Sequence, residues 1–175
     1  GQGTLVFDDE LYATGLWADA ANDLASMSYR VDLDASGTFY HYQYTFSVPT
    51  SFAQIKSLSH LTIEVSPDFE SNDFWNLTTG LIGLVGTYDP TPLGGAGSNP
   101  GMPGSMKGLK FEDFDDTLNS WTWSFDSARV PVWGDFYAVD GKNTDIYAYN
   151  LGFGNPDTDP IFVSGVNQPY HILVP

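Results

Sequence analysis

Along Phe39–Val48 the chain alternates with a period of two. Tyr40, Tyr42, Tyr44, Phe46 and Val48 fall on one side, and Phe39, His41, Gln43, Thr45 and Ser47 on the other. Successive side chains of a strand point to opposite faces, so this is one long, half-buried strand. Ser28–Leu33 alternates in the same way, with Tyr29, Val31 and Leu33 against Ser28, Arg30 and Asp32. In Ser59–Ser66, Leu61, Ile63 and Val65 are expected to face a core, and His60, Thr62 and Glu64 to face outward. Leu118–Phe125 places Trp121, Trp123 and Phe125 together. Further strands are expected at Gly3–Phe7, Leu11–Trp17, Leu81–Tyr88, Leu109–Phe111, Gly134–Val139, Asp145–Leu151 and Tyr170–Val174.

Turn signals separate these segments. Asp34-Ala-Ser-Gly37 suits a tight turn, and Pro49 ends the aromatic strand. Pro67–Asp73 and Asp113–Asp116 are acidic turns, and Asp89–Gly108 is rich in Pro and Gly and reads as a long loop. No segment sustains helical periodicity over three turns, although Trp17–Met27 is Ala-rich enough for a helical turn. About nine to eleven short strands with regular turns predict an all-β fold, an antiparallel β-sandwich of jelly-roll type with little helix. The 175 residues fit a single domain spanning 1–175. Its core is expected to hold Tyr42, Tyr44, Phe46, Leu61, Ile63, Val65, Trp121, Trp123, Phe125 and Tyr137, with Trp133 also read as core.

Composition narrows the partners. Twelve Phe, ten Tyr and five Trp exclude wholesale disorder. Six basic against 22 acidic residues give a net charge of −16, which repels nucleic-acid phosphates and anionic lipid surfaces. No apolar run is long enough for a transmembrane segment. The chain has no cysteine, so disulfides and thiolate chemistry are excluded.

Catalytic motifs are not found. There is no G-x-S-x-G nucleophile turn and no H-E-x-x-H. Of the four glutamates, Glu10, Glu64, Glu70 and Glu112, only Glu64 sits on a convincing strand, without a second carboxylate two residues away. Glycoside hydrolysis needs a carboxylate pair across a cleft, so no catalytic residue is assigned. His41 and His60 would form a weak metal site if their strands paired.

Calcium is the better-supported cofactor, because hard cations take carboxylate and carbonyl oxygens from turns. Three clusters qualify by composition: Asn155, Asp157 and Asp159; Glu112, Asp113, Asp115 and Asp116; and Asp68, Glu70 and Asp73. The first is preferred and Asp113–Asp116 comes second. For carbohydrate binding by ring stacking, Trp17, Trp75 and Tyr88 lie near loops. Asn76-Leu77-Thr78 is a formal glycosylation sequon.

From Phe39 onward, a series of segments resembles a known family. They include Asn99-Pro-Gly-Met-Pro-Gly104, Gly108-Leu-Lys-Phe111, the run from Phe125 through Arg129-Val-Pro-Val-Trp-Gly-Asp-Phe-Tyr137 to Lys142, Asn150-Leu-Gly-Phe153, Asp157-Thr-Asp-Pro160 and His171-Ile-Leu-Val-Pro175. They look like the ectodomain of bacterial secreted proteins with a PEP-CTERM sorting tail, of cyanobacterial and planctomycete type. The resemblance implies export to the extracellular space or cell surface. The signal peptide and sorting tail would lie outside this segment. It implies association with exopolysaccharide and no agreed catalytic residues.

Three functions therefore stand open. The first is a non-catalytic structural protein of an extracellular matrix, self-assembling into filaments by pairing of its terminal strands, Thr4–Phe7 and Tyr170–Val174. The same strands could instead pair within the domain. The second is a calcium-assisted module that binds extracellular polysaccharide. The third is a glycan-active hydrolase.

Overall fold

The computed structural model describes residues 1–18, 24–49, 58–92, 94–95, 97–141, 146–154 and 170–175. Two antiparallel sheets pack face to face. The first has five strands in the order β1 (Gln2–Val6), β3 (Ser26–Leu33), β4 (Tyr40–Ser47), β9 (Ser120–Ser127) and β6 (Phe74–Trp75). The second has six: β2 (Leu11–Ala13), β12 (Tyr147–Asn150), β11 (Phe136–Asp140), β5 (Leu58–Glu64), β8 (Met106–Glu112) and β7 (Ile82–Tyr88). A short ribbon pairs β10 (Val132–Gly134) with β13 (Ile172–Val174). The one helical turn among the described residues is a 3-10 segment, Gly15–Ala18. The all-β sandwich expected from the alternation is the fold observed.

Aromatic rings fill the space between the sheets. β4 and β9 pair in register, so Tyr42 meets Phe125, Tyr44 meets Trp123 and Phe46 meets Trp121, with ring centroids 5.3, 5.6 and 6.3 Å apart. Phe111 and Phe136 answer from the second sheet, 5.5 Å from Trp123 and 6.3 Å from Phe46. Each large aromatic removed from water contributes roughly 1.5–3 kcal/mol, so this block dominates the stability. Every residue named as core from the sequence is buried. Both terminal strands pair within the chain, β1 with β3 and β13 with β10, and the buried Tyr44 hydroxyl donates to the Leu173 carbonyl.

The outward expectation for β5 was wrong. His60 and Thr62 are 1% and 0% exposed, because the long loop after β7 folds across the outer face of the second sheet. Asn99 anchors it. The His60 Nε2–H donates to Asn99 Oδ1 at 2.8 Å, while Asn99 Nδ2 donates to the Asp89 carbonyl. The Tyr137 hydroxyl donates to the Pro100 carbonyl, and Met102 and Met106 pack with Tyr137 and Val139 as a second, smaller core. At Gly101 (φ +65°) a Cβ would lie 2.0 Å from the Tyr147 ring, so only glycine lets the loop lie this close. The His41–His60 site also fails, because the two strands belong to different sheets.

Two smaller expectations change as well. The strand read at Leu11–Trp17 stops at Ala13, where Gly15 (φ +55°) turns the chain into the 3-10 segment. The two-residue strand β6 was not foreseen.

Burial holds the His60 imidazole below its ordinary pKa of 6.5, partly opposed by the Asn99 hydrogen bond. Its folded pKa lies below the unfolded one, so its contribution is complete above pH 6.5 and declines as pH falls toward the depressed value. In urea unfolding between pH 8 and pH 5, His60→Gln should give a shallower loss of stability with acid than the parent chain. Parallel curves would show that His60 does not couple the loop to pH.

Candidate functional site

The two outer faces differ. Loop 89–105 covers part of the six-stranded sheet, whereas the outer face of the five-stranded sheet is polar and uncovered by any described residue. Register arranges that face in rows across β1, β3, β4 and β9. One row is Thr4, Ser28, Thr45 and Thr122, and the next is Gln2, Arg30, Gln43 and Ser124. Facing hydroxyls hydrogen-bond across strands: Thr4 with Ser28 at 2.9 Å, Thr45 with Thr122 at 2.8 Å, and Ser47 with Ser120 at 2.7 Å. A shallow groove of about 270 Å³ runs over Thr4, Ser28, Arg30, Gln43 and Thr45.

The last row carries the chemistry. Across β3, β4, β9 and β6 it reads Asp32, His41, Asp126 and Trp75. Asp126 is buried and doubly held: Oδ1 accepts from His41 Nδ1 at 2.8 Å and Oδ2 from Asn76 Nδ2 at 2.7 Å. Asn76 has φ +52°, which turns the chain after β6 and aims the amide back at Asp126. The amide of the formal sequon is thus engaged inside the fold. Trp75 is 38% exposed and packs edge-on against Phe39 at 5.7 Å. Phe39 is set by the preceding turn, where the Asp34 carboxylate accepts from Ser36, Thr38 and Phe39 backbone amides. Those bonds, led by the Ser36 hydroxyl, hold the Asp34 carboxyl well below the usual carboxylate range.

An exposed indole beside a braced carboxylate, an amide and an imidazole can contact a sugar: such a ring stacks on C–H faces and the polar groups exchange hydrogen bonds with hydroxyls. The cross-strand neighbours of His41 are both carboxylates, so no hydroxyl or thiol nucleophile stands beside it in the ladder.

Of the aromatic residues expected to bind sugar, Trp75 alone is well exposed. Trp17 is 3% exposed, edge-on to Phe46 at 5.3 Å, and belongs to the core; its loop position in the sequence concealed this. Tyr88 is half-buried, with Lys110 over its ring and its hydroxyl donating to the Leu84 carbonyl. A row of tyrosines not anticipated from the sequence crosses the far edge of the second sheet. Tyr12 stacks on Tyr149 at 4.9 Å and Tyr149 lies 6.3 Å from Tyr147.

The acidic clusters fare differently. Asn155, Asp157 and Asp159 lie outside the described residues. Asp113, Asp115 and Asp116 are exposed, and Asp115 spends Oδ1 on the Thr117 amide and hydroxyl of its own turn. No three His, Asp or Glu side chains among the described residues are grouped to hold a metal ion. At Asp68 and Asp73 a guanidinium occupies the place expected for a cation. Arg129 donates to Asp68 Oδ2 at 2.9 Å and Asp73 Oδ2 at 2.8 Å, and its hydrogen bonds hold both carboxyls below their ordinary pKa.

No protein-family model, curated protein or solved structure matches the chain. No helix among the described residues is long and apolar enough to cross a membrane.

Arg129→Gln should lower the urea midpoint at neutral pH. A carboxyl whose folded pKa is depressed stabilises above the unfolded value of 3.8 and loses that contribution as pH falls through the folded one. The gap between variant and parent should therefore close below about pH 3.8. A gap independent of pH would mean that Arg129 acts through packing on Phe69.

Proposed function

We propose that this is a non-catalytic polysaccharide-binding domain of an exported, matrix-associated protein, and that it binds through the open face of its five-stranded sheet. The observation that carries the reading is the row Trp75, Asp126, His41 and Asp32, which sets an exposed ring beside hydrogen-bonding groups on a face that no described strand packs against. The flanking hydroxyl and amide rows extend that surface over four strands, enough for a polymer rather than a single sugar.

Charge selects the ligand class. The chain carries −16, so acidic polymers are repelled at long range, although Asp32 within the row is paired with Arg30. A neutral or amino-sugar polymer fits, its hydroxyls or ammonium groups donating to the exposed Asp32, while Asp126 from its buried place holds His41 and Asn76 in position. Export and a matrix setting rest on the resemblance to PEP-CTERM ectodomains and on nothing geometric.

The test is co-sedimentation with insoluble cellulose, chitin and chitosan, the last carrying free ammonium groups, using alginate in affinity electrophoresis as the acidic comparison. Trp75→Ala should weaken retention about tenfold or more, equivalent to about 1.4 kcal/mol. Tyr12→Ala, on the other sheet, should leave it unchanged. Failure of the parent chain to bind any neutral or amino-sugar polymer would overturn the proposal, as would binding that is indifferent to Trp75.

A further inference from the structure

β7 is the outermost strand of the six-stranded sheet, paired with β8 along seven residues and with no described strand on its other side. The other sheet margins differ. β2 has three residues, β6 two and β1 five, against seven in β7. Open edges are ordinarily protected by lysine, proline or charge. β7 has none of these: from Phe74 to Tyr88 the chain carries no charged residue and no proline. Ile82 and Leu84 are 45% and 42% exposed, on the outer face of the sheet. The Tyr88 hydroxyl caps one carbonyl, that of Leu84.

We propose that β7 is a dimerisation edge, where a second copy of this chain pairs its own β7 antiparallel and joins two sheets into one. Three observations select a second copy as the occupant. Another β7 is already extended and also has an open edge, so one contact satisfies both without ordering a flexible peptide. A two-fold axis perpendicular to the sheet makes the contact self-complementary and places Ile82 and Leu84 of both copies on one face. Finally, chains of −16 repel each other, and the stretch without charge is where their close approach is least opposed.

Light scattering and sedimentation from ~10 µM to ~1 mM should show a monomer–dimer equilibrium that shifts toward dimer as salt screens the mutual repulsion. Amides of residues 82–88 should gain hydrogen-exchange protection with concentration in the unmodified chain. Leu84→Lys and Ile82→Lys, at exposed positions, should each give a monomer that melts at the temperature of the parent chain under dilute, monomeric conditions. Leu151→Lys, exposed elsewhere, should still dimerise. A parent chain that stays monomeric at high concentration and high salt would overturn the proposal. A dimer that survives both lysine variants, or one without concentration-dependent protection in β7, would do the same.

Discussion

β4 and β9 pair so that Tyr42, Tyr44 and Phe46 lie beside Phe125, Trp123 and Trp121. The same register that drives those rings into the sandwich drives His41, Gln43, Thr45 and Ser47 to the opposite face, beside Asp126, Ser124, Thr122 and Ser120. A one-residue slip of either strand would turn its three aromatic rings outward and its polar row inward. The loss of apolar burial would be several times the value of the hydroxyl pairs, each of which contributes about 0.5–1.5 kcal/mol. The candidate binding surface is thus placed by the core and not by its own interactions.

The second sheet meets a different constraint. Its outer face carries Tyr137, Val139 and Met106 among polar neighbours, too apolar to be left in water. Segment 97–105 covers part of it, and that cover calls for partners at the polar groups beneath it, which the Thr62 hydroxyl lacks. His60 and Asn99 answer one another, and the Tyr137 hydroxyl answers Pro100. Nearby, Asp135 accepts from Asn150, His171 and the Gly154 amide, tying β12 to the segment that leads into β13. One sheet is consequently covered over part of its outer side, while among the described residues no strand packs against the polar face of the other.

Strand content was legible wherever one face meets water, as in β3, β4 and β9, because alternation then reports the environment directly. It misled at His60 and Thr62, where polar side chains are buried under a loop more than thirty residues away in sequence, a non-local fact. Trp17 and Trp75 both stand near turns; only the tertiary fold separates them, sending one against Phe46 and leaving the other beside Asp126. The Asp68–Asp73 cluster read as a cation site in isolation, yet its cation is Arg129, 56 residues from Asp73. Trp75 was named from the sequence, but His41 and Asp126 come from two separate segments that only strand pairing brings beside Trp75 and the adjoining Asn76.

The most direct measurement of whether the open sheet face binds polysaccharide is a backbone and indole NMR titration with a soluble chitin or cellulose oligomer. Shifts should concentrate at the Trp75 indole and at Asn76, His41, Gln43 and Asp126, and should spare Tyr12, Tyr147 and Tyr149. Shifts confined to the tyrosine row, or the absence of shifts at saturating oligomer, would contradict binding at this face.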